Sequence, residues 1–437
     1  MLTSRPRGTA DLLPGEVEKW QFLEGEFRSL CHDFGFGEVR TPVFEHTELF
    51  QRAVGESTDI VRKEMYTFKD RGGRSITLRP EGTAPTVRAY LQAKLYAEPQ
   101  PTKLYYVCPI FRYERPQSGR LRQHHQFGVE MFGAAAAEAD VEVIMVAWEF
   151  FRRLGLEGLI VHLNSIGCPT CRRAYRAALK DFFEPKAKDL CTDCRERLEL
   201  NPLRVLDCKT EACQPYIQEA PVISGYLCDE CRAHFEDVKS LLTQRKVKFV
   251  LDTRLVRGLD YYTRTVFEIR HPHLGAQNSV CSGGRYDGLV EECGGDPTPG
   301  VGFGMGVERL VEALEIEGVA LPGRRSVDVY IAISEAGDRD MKNRGLDLLY
   351  ALRERRISAD MDYLGRSLKS QMKYAGKMKA KYVIIFGREE LAGGEVVLRD
   401  MAQGRERRVS LSDVPGTLRA SLDVGGTPWS NCQKPSG

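Results

Sequence analysis

Between residues 75 and 270 the apolar runs of this chain are strand-length pieces set in pairs, with polar turns between partners and few helices to carry one strand across to the next. Ser75 to Leu78, Lys103 to Cys108, Gln126 to Phe132, Phe249 to Asp252 and Thr265 to Arg270 read as strands. Glu38 to Thr41 is a shorter one that Pro42 closes. A parallel pair needs a long crossover, whereas a short polar link suits an antiparallel pair. Helical spacing appears over 16–34, where Val17, Trp20, Phe27 and Leu30 recur among charges up to Gly35. It returns at Thr83 to Tyr90, Ala139 to Leu154 and Val307 to Glu317. The expected fold class is α+β, a mainly antiparallel β-sheet flanked by helices rather than a doubly wound fold.

Two stretches break that rhythm. Residues 167–245 are Cys-rich and read as an inserted helical subdomain. After Pro322-Gly323-Arg324-Arg325, strands at Val327 to Ile333, Ile357 to Tyr363, Lys381 to Phe386 and Glu395 to Arg399 alternate with helical segments, which predicts a small α/β domain. The expected division is a main domain over 1–325 holding the insertion at 167–245, an α/β domain over 326–420, and a flexible tail over 421–437.

At 437 residues the chain is too long for one core. Its 63 basic and 61 acidic side chains leave a formal charge of +2, so any polyanion must be met by local patches. No run of ~18 apolar residues suggests a membrane span. The start, Met1 to Gly8, lacks the apolar core of a signal peptide. A cytoplasmic protein is expected, in which thirteen cysteines are thiols or metal ligands rather than disulfides.

Four clusters carry chemistry. The first, Arg257-Gly258-Leu259-Asp260-Tyr261-Tyr262, runs on into the strand-like Thr263 to Glu268. Arg257 is a fixed cation that cannot shuttle a proton, and adjacent Tyr261 and Tyr262 point to opposite faces if the backbone is extended. The second is Leu78-Arg79-Pro80-Glu81-Gly82-Thr83, at a strand-to-helix junction. Thr83 sits where an N-cap belongs; alternatively Glu81 offers a carboxylate to an ammonium group while Gly82 lets a ligand approach the backbone.

The third cluster spans Phe111 to Glu130, where Arg112, Arg115, Arg120 and Arg122 surround a hairpin turn at Gln117-Ser118-Gly119. Gln126 and Glu130 fall on one face with Gly128 if the segment is extended, and could line a pocket. The fourth, Gly300-Val301-Gly302-Phe303-Gly304-Met305-Gly306, is a glycine-rich strand opening into a helix that carries Arg309; close backbone approach there suits a flat ring. Nearby Cys281-Ser282-Gly283-Gly284-Arg285-Tyr286-Asp287-Gly288 reads as a second glycine-rich turn.

The second, third and fourth clusters resemble the three signature motifs of class II aminoacyl-tRNA synthetases. Arg257 to Glu268 and Ser282 to Leu289 resemble the two signatures special to the histidyl-tRNA synthetase family, and the likeness runs over about residues 1–420. The resemblance implies a class II sheet, a helical insertion and a C-terminal anticodon-binding domain. It implies ATP-dependent attachment of L-histidine to tRNA(His) through a histidyl-adenylate, with Mg2+ accompanying the pyrophosphate, by a homodimer.

Residue by residue it implies that Glu81 and Thr83 hold the histidine ammonium, with Gln126 beside them. Glu130 and Tyr262 bracket the imidazole and Tyr261 lines the pocket. Arg112 holds the α-phosphate, Arg309 the γ-phosphate, and Arg257 lies across the α-phosphate and the substrate carboxylate. Gln117, Arg120 and Arg122 meet the acceptor end of the tRNA. Fixed guanidiniums suit a reaction in which two anions are brought together.

Two features stay open. Lys369, Lys373 and Lys377 share one helical face, either as solvated surface or as a contact for anticodon-stem phosphates. Eight cysteines fall within 64 residues: the CxxC pairs Cys168/Cys171, Cys191/Cys194 and Cys228/Cys231, with Cys208 and Cys213 as a looser pair. Two pairs make one tetrahedral structural Zn2+ site and eight thiols could make two, but free buried cysteine is also common. Among other functions, a non-catalytic histidine-sensing regulatory paralogue is expected to lack the arginines or the anticodon domain, and a tRNA-sensing domain of a kinase is expected to adjoin kinase sequence.

Overall fold

Eleven strands build the first part of the chain: β1 (Gly37–Glu38), β2 (Phe44–His46), β3 (Tyr66–Lys69), β4 (Ser75–Leu78), β5 (Thr102–Phe111), β6 (Gln123–Phe132), β7 (Ile160–Ser165), β8 (Phe249–Leu251), β9 (Thr263–Arg270), β10 (Ser279–Arg285) and β11 (Gly300–Gly306). In this computed structural model residues 3–56, 58–116, 119–275 and 278–422 are described. Eight strands form one sheet in the order β1-β5-β6-β11-β10-β9-β7-β8, and β2, β4 and β3 form a small second sheet. The six central strands of the large sheet are antiparallel, as their polar links predict. Each edge strand, β1 and β8, is added in parallel.

Strand β6 explains how one sheet carries both a core and a site. Its alternation sends Phe127, Val129 and Met131 into the main core and Gln126, Gly128 and Glu130 to the other face. On the core side the helices Val17–Asp33 and Ala137–Arg153 supply Phe27 and Phe150. The Phe27 and Phe127 rings stack with centroids 4.7 Å apart, and Phe150 meets Phe27 edge-on at 5.2 Å. Truncating such a ring to Ala costs about 3–5 kcal/mol.

The glycine-rich stretch Cys281 to Gly288, expected as a turn, is instead largely strand β10, with only its end leaving the sheet. Its glycines make room for neighbouring backbone. A Cβ on Gly283 would fall 2.3 Å from the Gly302 carbonyl, and one on Gly284 2.5 Å from the Thr265 carbonyl. Arg285 at its end is fully buried and bonded to Asp140. Burial pushes the Asp140 carboxyl up, but His234 and Arg285 hold it below the usual range.

The insertion has a core of its own, built from Tyr175, Leu179, Phe183, Val205, Cys213, Ile217 and Ile223. Its helices include Pro169–Phe183, Thr192–Leu200 and Asp229–Gln244.

By packing the chain divides into two units, Met1–Leu12 with Lys19–Leu321, and Leu13–Glu18 with Pro322–Gly437. The second holds β12 (Val329–Ile333), β13 (Ala359–Met361), β14 (Tyr382–Phe386), β15 (Glu395–Asp400) and β16 (Glu406–Ser410) in the order β13-β12-β14-β15-β16. The first three in that order run parallel, and β15 and β16 return antiparallel. Its helix Leu368–Lys377 buries Gln371 and Ala375 and exposes Lys369, Lys373 and Lys377. Among the described residues no helix is long and apolar enough to cross a membrane.

Candidate active site

The site face of β6 is covered by side chains that need glycine opposite them. Glu130 lies over Gly302, where a Cβ would fall 1.9 Å from its Oε2. Gln126 lies over Gly304, where a Cβ would fall 2.2 Å from its Nε2. The glycines of β11 therefore accommodate an acid and an amide from β6, where the sequence suggested room for a flat ring. The Tyr106 ring from β5 fills the space over Gly82 and Gly128, with would-be Cβ distances of 2.3 and 2.2 Å. The missing side chain at Gly82 thus makes room for Tyr106.

Two buried carboxyls meet at the start of the helix Thr83–Gln92. Glu81 accepts the backbone N–H groups of Thr83 and Ala84, both at 2.7 Å, so it caps this helix and Thr83 does not. The Thr83 hydroxyl is left to donate to Glu130 Oε1 at 2.7 Å. Glu130 also accepts from the hydroxyls of Tyr106, at 3.4 Å, and Tyr286. Burial pushes the Glu81 carboxyl up despite the helix N–H bonds, and pushes Glu130 up to about 8 despite its three hydroxyl donors.

Tyr261 and Tyr262 close this pocket. Both are buried, and their ring centroids are 4.7 Å apart. The pair does not split between opposite faces, because residues 258–261 turn rather than extend and β9 begins only at Thr263. Tyr261 meets Tyr286 edge-on at 5.5 Å, which links it to Glu130.

Of the three arginines expected at the phosphates, Arg257 and Arg112 border this cluster and Arg309 stands on the helix Val307–Ile316. Arg257 pairs with Glu268, its Cζ lies 5.9 Å from the Tyr262 ring centroid, and its Nε is buried with no described partner. Arg112 donates from Nε to the Pro80 carbonyl at 2.6 Å, beside Glu81 in sequence. Arg309 donates to the Ser279 carbonyl at 3.2 Å, and its largest perturbation is burial, which lowers its pKa.

Glu268 also receives Arg270 Nε at 2.9 Å, and Arg270 reaches Asp252 at 3.0 Å. Asp260 braces the turn. It accepts from Asn201 at 2.8 Å and its backbone N–H bonds to the Val54 carbonyl at 3.3 Å.

Glu81, Thr83, Glu130, Tyr261 and Tyr262 therefore form one cluster, with Gln126 on the same face. Arg120 and Arg122 lie elsewhere, on the hairpin loop. Arg120 pairs with Glu114, and Arg122 lies 3.9 Å from the Tyr113 ring centroid. Gln117 lies outside the described residues. Sequence reasoning missed Tyr106, Tyr286 and Glu268. Tyr106 could have been found from its period-two spacing along β5, and Tyr286 and Glu268 sit inside stretches already singled out.

The eight cysteines of the insertion form two tetrads. Cys168, Cys171, Cys228 and Cys231 are one, and Cys191, Cys194, Cys208 and Cys213 the other.

Comparison with known proteins gives a consistent result. A family model described as histidyl-tRNA synthetase matches residues 8–310, and one described as anticodon binding domain matches 328–421. A protein of Desulforamulus reducens named histidine–tRNA ligase is 56% identical over 420 residues, covering 96% of this chain and 100% of the relative. Another so named, from Pelotomaculum thermopropionicum, is 56% identical over 422 residues, 97% of this chain and 99% of its own. The crystal structure of apo S. aureus histidyl-tRNA synthetase superposes with a TM-score of 0.80 at 38% identity, covering 95% of this chain and 99% of that one.

Proposed function

The chain belongs to the histidyl-tRNA synthetase family and attaches histidine to tRNA(His) using ATP, and we propose that the Glu81–Thr83–Glu130 cluster seats the histidine while Arg112, Arg257 and Arg309 receive the ATP phosphates. The observation that carries this is the pair of buried carboxyls. Neither Glu81 nor Glu130 has a cation within ion-pair distance among the described residues, although both are nearly inaccessible. Burial makes both acids costly to ionise, and a ligand cation placed between them offsets that cost.

Histidine supplies an ammonium and an imidazole. Glu81, Thr83 and Gln126 take the first, and Glu130 with Tyr262 brackets the second, with Tyr261 lining the pocket. A histidine carboxylate oxygen then attacks the α-phosphorus, the bond to the β-phosphate bridging oxygen breaks, and pyrophosphate leaves with that electron pair. Histidyl-adenylate remains, and a ribose hydroxyl of the tRNA terminus displaces AMP from it.

No protein group need transfer a proton in the first step. Catalysis there is positioning and charge stabilisation. Arg112 and Arg257 flank the α-phosphate and Arg309 the γ-phosphate, each as a permanent charge. Mg2+ enters with ATP as part of the substrate.

The hairpin with Arg120 and Arg122 meets the acceptor end of the tRNA, whose phosphates compete with Glu114 for Arg120. The stripe Lys369, Lys373 and Lys377 meets the anticodon stem. The protein works as a cytoplasmic homodimer; exposed Val43, Phe44 and Phe68 near the small sheet are apolar surface of the kind a second copy would cover. A regulatory paralogue is not favoured, since the ligases above match over nearly the whole chain.

ATP–pyrophosphate exchange measured with each amino acid alone tests the reading. Exchange is expected with histidine, and its absence with histidine would refute the assignment.

A further inference from the structure

The two cysteine tetrads have the dimensions of tetrathiolate metal sites. In each, the four sulfurs lie within 4.8 Å of one another. A tetrahedral zinc with Zn–S of ~2.3 Å sets its sulfurs ~3.8 Å apart. Cys168 and Cys171 are separated by 3.6 Å, and Cys191 and Cys208 by 3.8 Å. These spacings are far beyond the ~2.05 Å of a disulfide.

The surroundings suit bound thiolates. Cys168, Cys191 and Cys228 each stand at the N-cap of a helix, where N–H dipoles favour negative sulfur. Backbone N–H groups already point at sulfur: Cys228 donates to Cys171 at 3.1 Å, Cys191 to Cys213 at 3.3 Å and Thr210 to Cys208 at 3.3 Å. Gly167, at φ +68°, admits the first tetrad closely, since a Cβ there would fall 2.5 Å from Cys171 Cβ.

Each tetrad also anchors a strut to one short segment of the active site. Arg172, next to Cys171, donates to the carbonyls of Asp260 at 3.1 Å and Tyr262 at 2.8 Å. Asn201 and Arg204, between Cys194 and Cys208, reach Asp260 Oδ1 at 2.8 Å and the Arg257 carbonyl at 3.4 Å.

We propose that the insertion binds two zinc ions, one in Cys168/Cys171/Cys228/Cys231 and one in Cys191/Cys194/Cys208/Cys213, and that they position the Arg257–Tyr262 segment without touching the reacting atoms. Two closed four-sulfur sites leave no position for substrate, so these ions are structural. The metal count stands independently of the function proposed above; only the link to histidine affinity rests on it.

Metal analysis of the full-length chain, purified without added metal and dialysed against metal-free buffer, tests this. Two zinc per chain are expected, one in Cys171→Ser and one in Cys194→Ser, with X-ray absorption giving four sulfurs at ~2.3 Å. The histidine KM of each variant is expected to rise at least about tenfold while histidine-dependent pyrophosphate exchange persists. If the variants fail to fold, protein produced with cobalt in place of zinc should show tetrahedral tetrathiolate absorption for two ions per chain. A folded wild-type chain free of metal, or disulfides within the tetrads, overturns the sites. A variant lacking zinc with unchanged histidine KM overturns the bracing.

Discussion

The Thr83 hydroxyl donates to Glu130 at 2.7 Å, joining residues 47 apart in sequence, while the Thr83 backbone N–H is held by Glu81 at the same distance. One small residue thus fixes the spacing of two buried carboxyls. Thr83→Val keeps its shape and the backbone bond but removes the donor to Glu130. Leaving a buried polar group without its partner costs ~1–3 kcal/mol. The histidine KM should rise roughly 10- to 100-fold on that figure, with the ATP KM little changed. Steady-state pyrophosphate exchange measures both; equal rises in the two would contradict a role specific to histidine.

Burial raises the Glu130 carboxyl from its ordinary 4.5 to about 8. A raised folded-state pKa means that ionising this group costs the folded state. The protonated form's contribution is fully present below the unfolded value and is lost as pH rises through the folded one. Ligand-free wild type should therefore lose more stability than Glu130→Gln between about pH 5 and pH 8. Urea unfolding at the two pH values measures this, and equal slopes for the two proteins would contradict it.

Arg257 and Glu268 form an ion pair at the other end of the site. The pair is only partly buried and Arg270 still faces Glu268 when Arg257 is removed, so the loss should be on the order of 1 kcal/mol. Arg257→Ala should lose stability, and Arg257→Ala with Glu268→Gln should recover most of it. Neither should form adenylate, while both should still bind histidine. Recovery of exchange along with stability in the double variant would show that Arg257 is only structural.

The glycines of β11 should not be equivalent. Gly302→Ala puts a methyl against Glu130 and the Val129 carbonyl, whereas at Gly306 the nearest atom to a Cβ is 4.0 Å away. Gly302→Ala should abolish measurable histidine binding in titration calorimetry, and Gly306→Ala should leave it within about threefold. Similar effects at both positions would contradict the packing described for Glu130.

Neutralising Lys369, Lys373 and Lys377 to Ala should raise the tRNA KM on the order of tenfold and reduce its salt dependence. Histidine-dependent pyrophosphate exchange, which needs no tRNA, should not change. An unaltered tRNA KM would return the stripe to solvated surface.

What the sequence made legible follows from periodicity. The period of two along 126–131 separates Gln126, Gly128 and Glu130 from Phe127, Val129 and Met131, and the sheet keeps that separation. Polar links between strands foretold the antiparallel centre, but the parallel edge strands β1 and β8 depend on distant segments and left no local mark.

Tyr106 shares the period-two face of β5 with Cys108 and Ile110, but its place over Gly82 and Gly128 exists only once separate segments meet. Glycine usually marks a turn, so residues 281–288 hid a strand whose glycines serve a neighbour's backbone. The Tyr261–Tyr262 prediction failed on its premise of extended backbone. The cysteine spacing showed four pairs, but which pair joins which is a property of the folded insertion.

The most direct test of the site is histidine binding to Glu130→Gln, read by titration calorimetry against wild type. Glutamine keeps the size of the side chain and removes its charge and its carboxyl proton. If Glu130 brackets the imidazole, affinity should fall on the order of 100-fold, the size expected when a buried polar group loses its matched partner. Wild-type affinity in the variant would contradict the placement of histidine in this cluster.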